Sequence, residues 1–176
     1  MVPDLQEPVF ALGLRPARPP LLRACSADVL LACLCRSRAA RRAQPPLLVL
    51  DASAALELLL VTERGREVAE RISAPAETLH APYLIDLEVV QVLRRYVLRR
   101  QLDEVRASQA LEDLRDLDPS PYPHDVLSGR IWELRHNASA YDAAYLALAE
   151  TLGALLLTSE ARLREVRGVR VRIEVL

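Results

Sequence analysis

The sequence predicts an α/β fold built on a mostly parallel sheet, and three observations predict it. Short apolar runs alternate along the chain with longer segments of helical periodicity. The first run, Leu47-Leu48-Val49-Leu50, is apolar at every position, as a strand covered on both faces must be. One carboxylate, Asp51, follows directly on such a run, and another, Glu160, follows the run ending at Leu157 after Thr158 and Ser159. That is where parallel sheets bind their ligands, beyond the carboxyl ends of the strands.

A strand over residues 47–51 opens the fold. Ser53 is placed to cap a helix running to about 61, and Thr62 to cap another, through Glu67 and Val68, to about 72. Residues 78–81 form a second strand, closed by Pro82, which has no N–H to give a ladder. A long helix covers about 83–101, and another runs from 103 to about 117. The segment Asp118-Pro-Ser-Pro-Tyr-Pro123 cannot be helical, so it makes an extended connection with room for a short strand. Helices follow at about 124–135 and 140–152. Gly153 stops the latter, and 154–157 is a third apolar strand. A short helix near 161–166 leads to the last strand, 169–175. There Val169, Val171, Ile173 and Val175 alternate with Arg170, Arg172 and Glu174, the pattern of a strand at a sheet edge.

With 176 residues the chain is one domain with an appendage. Half its residues are hydrophobic but only 4% are aromatic, so Leu, Val and Ala must build the core. Residues 1–46 hold seven of the twelve prolines, interleaved with Arg, and read as a flexible tail or an upstream-extended start of the reading frame. A short helix around 27–35 is the only order expected there. Seven Arg against Asp4, Glu7 and Asp28 give this tail a net charge of +4, so the domain at 47–176 carries −5 of the chain's total of −1. An acidic domain is not an obvious nucleic-acid binder, and metal with a local Arg patch would have to compensate. Cys25, Cys33 and Cys35 all lie in the tail and offer neither a disulfide framework nor a zinc site. A cysteine-free domain with no apolar run of membrane-spanning length suits the cytoplasm.

Four acids stand where a metal site would need them: Asp51, Glu88, Asp142 and Glu160. Carboxylates in apolar surroundings are costly to bury without a partner, no basic residue lies within a few positions of Asp51, and the chain has no Lys at all. Asp51 ends a buried strand, and its bland alternative, capping the next helix, is a job Ser53 can do. Glu88 has Leu84, Ile85, Gln91 and Val92 at helical spacing, so core side and helix margin fit it equally. Asp142 completes a capping box with Ser139, and Glu160 complements the dipole of a short helix; both are explained without a metal. Arg94, Arg95, Arg99 and Arg100 recur after Glu88 and read first as a solvated helix surface, with guidance of a phosphate backbone and contact with a partner protein as the other readings. His80, His124 and His136 have no ligand spacing.

Four segments carry a resemblance to a known family: Val49-Leu50-Asp51-Ala52-Ser53-Ala54, then His80-Ala81-Pro82-Tyr83-Leu84-Ile85-Asp86-Leu87-Glu88-Val89, then Ser139-Ala140-Tyr141-Asp142-Ala143-Ala144-Tyr145, and Leu156-Leu157-Thr158-Ser159-Glu160-Ala161-Arg162-Leu163. In this order they resemble the PIN domain, and more narrowly the VapC-type toxins of bacterial toxin–antitoxin pairs, over about residues 48–176. The resemblance implies a three-layer α/β/α sandwich and an Mg²⁺- or Mn²⁺-dependent endoribonuclease that cleaves structured RNA, transfer or ribosomal, by metal-activated water. It implies metal-binding, catalytic roles for Asp51, Glu88, Asp142 and Glu160, with Ser53 and Thr158 in support. The family's Thr-x-Asp is here Thr158-Ser159-Glu160, one methylene longer. A homodimer held in check by a VapB-like antitoxin is also implied. The competing expectations are a PIN-like domain that binds RNA or a partner without cutting, and a phosphate-accepting receiver domain, which would want a Lys this chain lacks.

Overall fold

The computed structural model describes residues 47–73 and 77–176. The tail at 1–46, its expected helix and its cysteines lie outside the described residues. Five strands form one sheet: β1 (Leu47–Leu50), β2 (Thr78–Pro82), β3 (Ser120–Tyr122), β4 (Leu155–Thr158) and β5 (Arg172–Val175), in the spatial order β3-β2-β1-β4-β5. Every pairing is parallel, with Val49 opposite both His80 and Leu156. β1, at the centre, is the all-apolar run, and Leu48, Val49 and Leu50 are each 1% exposed or less.

The chain runs from β1 outward to β2 and β3, then returns to β4 on the other side of β1. Right-handed crossovers in opposite senses send the two sets of connecting helices to opposite faces. On one side α1 (Ala52–Leu59) packs on α2 (Glu63–Ile72), α3 (Leu84–Leu98) and α4 (Glu104–Leu117). On the other, α5 (Ser128–Glu133) packs on α6 (Ala140–Leu152), which lies against β1, β2 and β4. The result is the expected three-layer sandwich. α6 is apolar nearly all round, as a helix pressed between layers must be, and residues 143–149 are all buried.

The helix ends follow from local chemistry. Thr62 Oγ1 accepts from Gly65 N at 3.0 Å at the start of α2, Asp103 accepts from Val105 N at 2.8 Å before α4, and Gly153 closes α6 in the left-handed region (φ 63°). Three expected elements are shorter or tighter than their patterns. The 124–135 segment divides into a 3-10 turn, Asp125–Leu127, and the brief α5. The segment after β4 is a 3-10 turn, Ala161–Glu165. The final strand begins only at Arg172, because its partner β4 offers four residues to pair with.

Candidate active site

The strand order reverses between β1 and β4, so the connections that follow them part and leave a crevice at their carboxyl ends. Asp51 sits there, tied across the gap by its N–H, which donates to Leu157 O at 3.0 Å. It occupies the N-cap position of α1 yet makes no side-chain capping bond. Its carboxylate, in a residue only 7% exposed, instead accepts at Oδ2 from Thr158 Oγ1 at 2.7 Å and from Ser53 Oγ. No side-chain donor among the described residues reaches Oδ1. The capping role expected of Ser53 is therefore corrected. The helix starts at Ala52, two residues too early for Ser53 to cap it. Its hydroxyl is turned to Asp51, lies 3.1 Å from Thr158 Oγ1 and accepts from Ser159 N at 3.0 Å. Thr158, fully buried, also accepts from Glu160 N at 3.0 Å, so one hydroxyl sets both the Asp51 carboxylate and the backbone that presents Glu160. Burial pushes the Asp51 carboxyl above the usual carboxylate range; the two hydroxyls oppose the rise and the charge of Glu160 adds to it.

Glu88, half-buried on the second turn of α3, accepts at Oε2 from the Tyr145 hydroxyl at 2.6 Å. Burial raises its carboxyl, the Tyr145 bond pulls it down, and the charges of Asp51, Asp142 and Glu160 push it up again. Tyr145 is 1% exposed, and burial beside Glu88 drives its phenol far above its ordinary value. Asp142 takes its place in the cap of α6. Its N–H donates to Ser139 Oγ at 3.1 Å, and its Oδ2 accepts from the same hydroxyl at 2.8 Å, while its carboxylate also pairs with Arg162. Glu160 makes no capping bond to the turn it precedes and pairs with Arg162 as well.

All four acids and Ser53 line a single open cleft of about 440 Å³, which Arg95, Tyr96, Tyr141 and Arg162 share. Of the four arginines on α3 and its end, Arg95 alone lines it. The histidines do not. His80 is buried on β2 with Nε2 2.8 Å from Thr78 Oγ1. Sequence reasoning assigned no role to Tyr145 or Arg162. The spacing of Tyr145, three residues after Asp142 and hence on the same helix face, was the available signal; the Arg162 contact had none.

The donor set is all oxygen, which suits a hard divalent cation; burial, with a smaller push from neighbouring carboxylate charge, raises Asp51 and Glu88, and such an ion favours their charged forms. Among the described residues no three potential ligands are yet gathered into a metal cage, and Arg162 engages two of the four.

Residues 48–169 match the PIN domain family. The chain is 41% identical over 129 residues to the VapC ribonuclease Mb0985 of Mycobacterium bovis, covering 73% of this chain and 98% of that protein. It is 38% identical over 122 residues to the ribonuclease VapC3 of Pyrobaculum aerophilum, covering 67% and 92%. In fold it is similar to VapBC2 from Rickettsia felis, solved bound to a DNA fragment from its promoter (TM-score 0.55, 12% identity, 73% and 98% covered), and to VapBC-1 from nontypeable Haemophilus influenzae (TM-score 0.53, 16% identity, 73% and 97% covered).

Proposed function

This chain belongs to the PIN domain family, and from that membership we propose that it is a metal-dependent endoribonuclease, the toxin of a VapBC-type toxin–antitoxin pair. The observation that carries the reading is the convergence of Asp51, Glu88, Asp142 and Glu160 on one cleft at the reversal point of the sheet. Relatives named as ribonucleases, aligned over nearly their whole lengths, support it.

The four carboxylates are the proposed ligands of Mg²⁺ or Mn²⁺. When bound, the cation supplies Lewis acidity toward a phosphoryl oxygen and activates water near neutral pH. The chain's own residues prepare the site. Ser53 and Thr158 favour the ionised form of Asp51 despite its burial and leave Oδ1 without a side-chain donor. Tyr145 does the same for Glu88. Arg95 and Arg162 bring positive charge to an otherwise acidic domain, as an RNA backbone requires. The substrate is proposed to be structured RNA, transfer or ribosomal. The protein acts in the cytoplasm as a homodimer under a VapB-like antitoxin. No helix among the described residues is long and apolar enough to cross a membrane.

The test is cleavage of total bacterial RNA by the full-length chain with Mg²⁺ or Mn²⁺. Discrete fragments are expected, lost on chelation by EDTA and in Asp142→Asn. A folded wild type that is inert with both metals would turn the reading to a PIN-like domain that binds without cutting.

Tyr145→Phe provides a further check. Removing the hydroxyl withdraws the one interaction that lowers the Glu88 carboxyl, so that carboxyl rises further and cleavage at neutral pH falls, by roughly 10-fold for a group supporting a ligand. The acid limb of the pH–rate profile moves to higher pH, since Glu88 must be ionised to act. A uniform loss with an unmoved limb would make Tyr145 a packing residue only.

A further inference from the structure

Arg162 stands over the acidic cleft with an unusual set of partners. Its guanidinium forks onto Asp142, Nη1 to Oδ2 at 2.7 Å and Nη2 to Oδ1 at 3.0 Å. Nε donates to Glu160 Oε2 at 2.5 Å, and Nη2 pairs with the same oxygen. One cation thus engages three oxygens of two acids. Its own side chain is 61% exposed, against 13% for Asp142 and 39% for Glu160. It covers the acids from the solvent side and is itself buried under nothing.

A guanidinium fork and a hard dication seek the same carboxylate oxygens, and a fork in place blocks them. Two of the four acids that line the cleft are engaged in this way. An arginine displaced from carboxylates stays at the cleft, where a phosphate offers the same planar pair of oxygens that its fork fits. We propose that Arg162 is a built-in competitor for the cation. It is clamped on Asp142 and Glu160 in the metal-free protein and transfers to a phosphate of the RNA once those acids take up the ion. This rests on the ribonuclease reading, and it makes Arg162 a positioning residue that couples metal loading to substrate engagement. The antagonism comes from within the chain, since no partner protein is needed to occupy the acids.

The test is Mn²⁺ binding to the full-length protein without RNA, read by the electron paramagnetic resonance signal of free Mn²⁺, for wild type, Arg162→Gln and Arg164→Gln. Both arginines are exposed on the same turn, so the variants match in charge lost and leave the core untouched. A clamp closed about 90% of the time weakens apparent affinity roughly tenfold, so Arg162→Gln is expected to bind Mn²⁺ about tenfold more tightly and Arg164→Gln to change little. In cleavage assays Arg162→Gln should raise KM and flatten its salt dependence by about 0.7 in log–log slope, the share of one phosphate contact on a single strand. Equal Mn²⁺ binding by the two variants, with wild-type cleavage intact, overturns the competitor and leaves the ribonuclease standing. An unchanged salt slope overturns the transfer to phosphate. Failure of every form to bind Mn²⁺ overturns both the competitor and the metal-dependent reading beneath it.

Discussion

Asp51→Asn is expected to lower RNA cleavage by on the order of 10³-fold or more while leaving the metal-free protein as stable as wild type or more so. The loss follows from position. Asp51 is the most buried of the four acids and the one held by two hydroxyls, and its amide replacement cannot offer a charged oxygen to a dication. Removing groups that merely support such a ligand costs 10–100-fold, and the ligand itself should cost more. The gain in stability follows from the sign of its shift. The folded-state carboxyl titrates above its unfolded value because burial penalises the charge. A group of that kind contributes stability below its unfolded pKa, and the contribution is lost as pH rises through the folded one. At neutral pH the ion is a burden, and Asn removes it while its carbonyl still accepts from Ser53 and Thr158. A rise in Tm of roughly 3 °C per kcal/mol gained is the scale for a domain of this size. Thermal unfolding in EDTA beside a cleavage assay checks both halves. A variant that is inactive and also markedly less stable would mean Asp51 serves the fold rather than the reaction.

Gly65→Ala should destabilise the domain by about 3 kcal/mol, against the ordinary preference of a helix for alanine. Gly65 lies in the first turn of α2, where Ala normally adds up to about 1 kcal/mol over Gly. Here a Cβ would stand 2.0 Å from the Glu57 carbonyl oxygen, 2.6 Å from its carbon and 3.0 Å from Leu58 N. These are backbone atoms at the end of α1, which no rotamer change can move aside. Overpacking of this kind typically costs 1–3 kcal/mol, and a clash with a helix backbone sits at the upper end. The corner is also tied by Thr62 N–H to Glu57 O at 3.2 Å and by Gly65 N–H to Thr62 Oγ1, so α2 cannot back away without breaking its own cap. Because Ser53 lies in the first turn of the same α1, the strain also reaches the site. Urea unfolding should show a lower midpoint; an unchanged or higher one would mean the two helices separate freely.

What could be read in the sequence was what local chemistry decides. Thr62 and Ser139 cap helices in place, Gly153 ends one, and the central strand is the continuous apolar run. A cap or an apolar run draws on residues within one turn or one strand, so a linear reading contains all its terms. The α/β class and the strand-end position of Asp51 follow from the same short-range information, and so do the four segments that mark the family. The order β3-β2-β1-β4-β5 does not, because it depends on which strands meet over separations of a hundred residues. Long separation also hid two decisions. Ser53 had a hydroxyl suited to a cap, but Asp51 and Thr158, the latter 105 positions away, offered it better partners. Tyr145 reaches across 57 positions to Glu88, turning an ambiguous helix-margin acid into a cleft residue. The sequence by itself settled which residues carry charge or apolar surface. Only the tertiary structure decided which of them face one another, since a carboxylate's environment is set by neighbours the chain supplies from elsewhere.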